Sequence, residues 1–247
     1  MILRRITQHV REQNWVAVAL DFAIVVVGVF LGIQVSNWNE QIALDAEKDR
    51  YLEQLSAEYR AIETTLEGHV ASYRKSVGAS ARVLDVLRGD APVDEAKLRT
   101  DLLNTASFRV PTRSPPTLQE LVSSGKVDLI DNHALRTELL EAHELSDSIN
   151  RIYEQLRRGI HDAEDELYSY VTLNNDFSGI EEGGLPTYSF RPQTQTEIAA
   201  MLSDPEMETA FEKLLAMHLN MLDLQMEALE ETRELNALLA EERGDAQ

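Results

Sequence analysis

The sequence predicts an all-α protein: one N-terminal transmembrane helix, then an elongated antiparallel bundle of three long helices with short connecting helices. Three observations predict it. An apolar run, Trp15 to Val35, lies near the N-terminus. Beyond it, apolar residues recur at three- and four-residue steps, the period of a half-buried helix. Strand-like alternation is scarce, and only 11 glycines and 7 prolines punctuate 247 residues. The expected divisions are a basic N-terminus over 1–14, a membrane helix over 15–38 and a helical domain over 39–247.

The run reads WVAVALDFAIVVVGVFLGIQV, with Asp21 and Gln34 as its strongly polar members. About 21 residues at ~1.5 Å each give roughly 31 Å, the thickness of a bilayer's hydrocarbon core. Both tryptophans of the chain, Trp15 and Trp38, bracket the run, and Asn37 and Asn39 flank the second. Amphipathic rings and amides of this kind suit the membrane interface, so these four residues are the expected anchors. Cleavage by a signal peptidase wants small residues in an A-x-A-like pair. Gln34, Ser36 and Asn37-Trp38 do not supply it, so the segment reads as an uncleaved signal anchor. Arg4, Arg5 and Arg11 precede the run, while Lys48 and Arg50 follow among acids. That asymmetry places the N-terminus in the cytoplasm and the C-terminal domain outside.

Asp21 is the costly member, at about 2.5–3.5 kcal/mol for a carboxylate at the bilayer centre. It lies ~9 Å inside Trp15, which lowers that cost. The Val, Ile, Leu and Phe residues of the run offset it with roughly 4–8 kcal/mol. At 100° per residue Asp21, Val25, Gly28 and Gly32 share one narrow helix face. Gly28-x-x-x-Gly32 is the small-residue spacing through which membrane helices approach closely. This face is the expected association site, for a second copy or a partner membrane protein.

The stretch "DFAIVVVGVFLGIQVSNWNEQ" resembles the opening of an uncharacterised bacterial family of single-pass membrane proteins. Its members carry an early acidic residue, then V-x-G-x-x-x-x-x-Q-[VI]-x-N-W-N-E, then a helical domain. The matching residues are Asp21, Gly28, Gln34, Asn37, Trp38, Asn39 and Glu40. "LQELVSSGKVDLIDNHALRTEL", Leu118 to Leu139, is similar to a second segment of the family. Where the family often has glutamate, this chain has Asp21. The resemblance implies topology and a helical fold, and no activity.

From about Glu40 the pattern becomes amphipathic: Leu52, Leu55, Tyr59, Ile62, Leu66, Tyr73, Val77, Leu84 and Leu87 form a stripe. With no proline before Pro92, this helix is potentially continuous with the membrane helix. Gly89 to Pro92 end it, and Asp94 caps a shorter helix running to about Ala106. "SFRVPTRSPPT" cannot continue a helix. Thr117-x-x-Glu120 is a capping-box pattern opening a brief helix that stops at Gly125. Asp131 or Asn132 caps the next helix, running to about Leu173 with Leu135, Leu139, Ile149, Ile152, Leu156, Ile160 and Leu167 inward. "NNDFSGIEEGGLPTYSFRPQT" reads as the longest irregular stretch. Ser203-Asp204-Pro205-Glu206 starts the last helix, which buries Phe211, Leu214, Leu215, Leu222, Leu229 and Leu235 and ends near Glu242.

The formal net charge is −20, with 43 acids against 23 bases, so a nucleic-acid partner is not expected. The absence of cysteine excludes disulfides, thiolate zinc sites and thiol nucleophiles. No Glu-x-x-His or His-x-x-x-His pair occurs, and His143 beside Glu141 and Glu144 reads as part of a solvated acidic face. Asn174-x-Asp176-x-Ser178-Gly179 imitates a calcium loop, but Leu185 stands where its closing glutamate belongs. Gly183-Gly184 lacks the Gly-Lys-Ser/Thr of a phosphate loop, and no nucleophile elbow occurs. No catalytic residue, metal or cofactor is therefore expected. The functional expectation is a membrane-anchored helical interaction or scaffold protein. Its alternative is an extracytoplasmic sensor of a ligand or stress. That sensor would need a partner membrane protein, since about 14 residues ahead of the span are too few for an output domain.

Overall fold

The computed structural model describes residues 15–106, 108–168, 170, 173–176, 187–190 and 195–244. The chain divides into two compact units, Met1–Tyr51 and Leu52–Gln247. The described residues form helices and one short pair of strands, joined by turns and extended connections. Helix α1 is Trp15–Leu87, α2 Glu95–Thr105, α3 Pro116–Ser123, followed by a 3₁₀ turn at Val127–Leu129. Then come α4 His133–Tyr168, β1 Leu173–Asp176, β2 Thr187–Phe190, α5 Gln195–Leu202 and α6 Pro205–Glu242.

Helix α1 has 73 residues and no break, because no proline occurs in it and its glycines do not interrupt the backbone ladder. It ends where Gly89 adopts φ +80°, a conformation other residues resist, and the Gly89 N–H bonds to Val86 O at 3.1 Å. The next starts follow the expected chemistry. The Asp94 carboxylate accepts from the N–H groups of Ala96 and Lys97, and Asn132 Oδ1 from those of Ala134 and Leu135. Asp204 caps α6, accepting from Glu206 N–H at 2.9 Å, with Pro205 in the first turn.

Helix α3 departs from the expected capping box. It begins two residues earlier, at Pro116, and Pro115 stands at its cap without a side-chain bond. Thr117 sits inside the first turn, and its hydroxyl and N–H both donate to the Glu58 carboxylate of α1, at 3.0 and 3.3 Å. A distant carboxylate supplies what a local one was expected to, in the place where a helix dipole favours negative charge.

The core of the second unit lies where helix stripes meet. Val83 and Leu84 of α1 pack with Leu98 and Leu102 of α2, Ile160 of α4, Ile198 and Met201 of α5, and Phe211 and Leu214 of α6. Leu66 and Val70 pack with Leu229, and Tyr73 with Ile149 and Met221. Val77 and Ile62 are half-buried, while Ser76 and Ser80 take fully buried places on the α1 stripe. Ile152, Leu156, Leu215 and Leu222 are also only half-buried. Polar pairs accompany these contacts. Arg233 meets Glu63 and Glu67, His69 meets Gln225, Ser80 meets His218, and Arg88 meets Glu208 and Glu212.

Helix α4 stops at Tyr168, short of the expected Leu173, whose place is in β1. Part of the expected irregular stretch is instead an antiparallel ladder, Leu173 opposite Phe190 through Asp176 opposite Thr187. Tyr188 and Phe190 suit a strand, and β pairing satisfies backbone groups that a lone extended segment leaves open. Ser178, Gly179, Gly183, Gly184 and Leu185, like Arg4, Arg5 and Arg11, lie outside the described residues.

Candidate membrane-helix interaction site

Every described side chain from Ala19 to Ala46 is exposed. Phe22 is 71% exposed, Val25 62% and Phe30 58%. Such side chains each gain about 1.5–3 kcal/mol on leaving water, so this surface calls for a cover. The helix is long and apolar enough to cross a membrane. A core helix of a soluble domain would have passed the same test of composition while being mostly buried, and none of this apolar window is buried.

The expected association face is continuous helix throughout. Asp21, Val25, Gly28 and Gly32 are all exposed, and a methyl group added at either glycine would meet no atom within 4 Å. No described residue therefore covers the face at these two glycines. Asn37, Trp38 and Asn39 are also exposed, with Trp38 at 67%. Trp15 opens the helix by its backbone, and its side chain lies outside the described residues. After the anchors, Gln41 donates to Asp45 one turn on, at 2.9 Å.

The helical body holds polar groups that the sequence reading missed. The proline-rich connection has no ladder of its own, so side chains from the long helices satisfy it. The Tyr73 hydroxyl donates to Arg109 O and accepts from Arg109 N–H, both at 3.0 Å. Burial raises the Tyr73 phenol to about 12 despite the backbone bond that opposes it. Asn150 and Ser146 of α4 donate to Thr112 O, and Ser76 of α1 donates to Asn104 O. Glu141 and Glu144 are exposed and His143 between them is half-buried, its Nδ1 2.8 Å from Ser114 Oγ, because the connection folds back over α4.

His218 is fully buried, 3.2 Å from Ser80 Oγ and stacked on Phe108 at 4.3 Å between ring centroids. Burial pushes it down to about 4, so it is neutral. Among the described residues its Nε2 has no hydrogen-bond partner, and no carboxylate orients the ring as a Ser-His-acid nucleophile requires. The signal for His218 was present in the sequence: Leu214, His218, Met221 and Gln225 follow one helical stripe. Among the described residues no group of three or more His, Asp or Glu side chains is placed to hold a metal ion.

No protein-family model, no curated protein and no solved structure matches the chain.

Proposed function

We propose that the protein is a membrane-anchored helical interaction or scaffold protein, without catalytic chemistry, that associates through its membrane-embedded helix face. In this reading α1 crosses a bacterial inner membrane once, with its N-terminus cytoplasmic. The domain outside is an elongated antiparallel bundle of α1, α4 and α6. The pairs Glu63–Arg233, His69–Gln225, Ser80–His218 and Arg88–Glu208 support the antiparallel course of α1 and α6, since one number rises as the other falls. The likeness of the Asp21 to Glu40 stretch to a bacterial single-pass family agrees with it.

The observation that carries the reading is an apolar helix whose whole window is left uncovered by the described residues. Lipid satisfies the general face, and the Gly28/Gly32 groove with Asp21 beside it satisfies a second helix. The chain contains no cysteine, so a single cysteine at Val25 or Gly28 can be crosslinked without background. Covalent dimers in membranes are expected. Monomers at both positions would remove self-association, and a partner recovered with wild type but lost with Asp21→Ala would then take its place.

A second reading, an extracytoplasmic ligand sensor, is favoured by an open groove of about 720 Å³ beside α4. His143, Asp147, Arg151 and Arg113 line it, groups able to orient a small polar ligand. A thermal-shift screen of polar metabolites on the detergent-solubilised chain tests it. A midpoint unmoved by every compound would dismiss it.

A further inference from the structure

Within the helical body, α1, α4, α6 and the proline-rich connection surround a cavity of about 30 Å³. About 10–15 Å³ holds one water-sized particle, so the space admits such a particle and excludes metabolites. Tyr59 lines the cavity; the residue is 3% exposed, and its hydroxyl has no hydrogen-bond partner among the described residues. Native proteins seldom leave a buried hydroxyl unmatched. Glu231 and Thr232 of α6 line the same space, with Ser146, Thr112 and Ser114. Ser146 is committed to Thr112 O, and Ser114 to His143. The Tyr59, Thr112 and Thr232 hydroxyls and the Glu231 carboxyl are the neutral or acidic side-chain groups that remain to meet an occupant.

The local field sets the occupant's charge. Burial raises the Glu231 carboxyl to about 7, and Glu138 and Glu141 of α4 with Glu227 and Glu234 of α6 push the same way. Glu231 and Glu58 also add to the burial that raises the Tyr59 phenol. The cationic residue at the cavity, Arg113, is exposed. A position among this many carboxylates attracts positive charge.

We propose that this cavity binds one small monovalent cation, an alkali or ammonium ion, held by the Glu231 carboxylate and the Tyr59 and Thr232 hydroxyl oxygens. A divalent ion is the poorer fit, because calcium wants six or more oxygens and magnesium keeps several waters, which ~30 Å³ does not hold. The ion and a proton compete for the same carboxylate.

The test is thermal unfolding of the full chain in detergent at constant ionic strength. Sodium, potassium or ammonium chloride at ~100 mM is compared with choline chloride, whose cation is too large to enter. Near pH 8 at least one small cation is expected to raise the midpoint by roughly 3 °C over choline. The gap should close near pH 5, where the proton holds Glu231, and vanish in Glu231→Gln; Tyr59→Phe should narrow it. Equal midpoints in all four salts near pH 8 would overturn the proposal. So would a gap that survives in Glu231→Gln, because the ion would then act elsewhere.

Discussion

His218 and Glu231 show at single residues how burial bends titration in opposite directions. The folded value of His218 is about 4 against an ordinary 6.5, so the unfolded chain takes up the proton first. Stability from this group is complete above pH 6.5 and is lost as pH falls through 4, by up to about 3 kcal/mol. Glu231 is raised from 4.5 to about 7, so its contribution is complete below 4.5 and is lost as pH rises through 7. Between roughly 4.5 and 6.5 the two slopes oppose one another. Denaturant titrations of Glu231→Gln should therefore show stability climbing with pH across that window, while His218→Leu should show it falling. Parallel profiles in the two variants would contradict the assignment. His218 was legible as a stripe position in the sequence. Glu231 was not, because its burial, the main cause of the shift, and the push from Glu138 and Glu141, ninety or more residues away in the chain, arise only when α4 packs on α6.

Caps and ties decide the elements. Asp204→Ala removes the α6 cap and also the acceptor of the Tyr170 hydroxyl at 2.7 Å. A lower unfolding midpoint is expected, with faster amide exchange in the first turn of α6. Tyr73→Phe keeps the ring in place but leaves Arg109 N–H and O without their partner. It should cost about 1–3 kcal/mol and loosen the connection after α2, read as protease sensitivity near Arg109. The Arg82–Asp101 pair, two bonds at 2.9 and 2.5 Å with Asp101 almost fully buried, ties α1 to α2 in the same way. Helix starts at Asp94, Asn132 and Asp204 were readable because capping is local chemistry. The start of α3 was misread because its cap comes from Glu58, a residue no local pattern connects to Thr117.

At the scale of the whole molecule, the first unit exposes a continuous run of apolar side chains that water disfavours, while the second gathers most of its own into a core. The proposed topology predicts that a cysteine at the exposed Met226 is labelled by a membrane-impermeant maleimide in intact spheroplasts. Labelling only after lysis would place the helical body on the cytoplasmic side. The full chain should also sediment with membranes and resist extraction by high salt, since the attraction is apolar and unscreened.

Composition and period alone determined that the chain is helical, that one N-terminal helix is apolar enough to cross a membrane, and where most helices start and stop. These properties depend on neighbours within a few residues, where side-chain spacing and capping act directly. Tertiary structure decided the rest: the Glu58 cap on α3, the strand pair in a stretch that reads as irregular, the strapping of the proline-rich connection, and the cavity that brings Tyr59 to Glu231. Each joins residues distant in sequence, and such contacts follow from how stripes pack rather than from any stripe by itself.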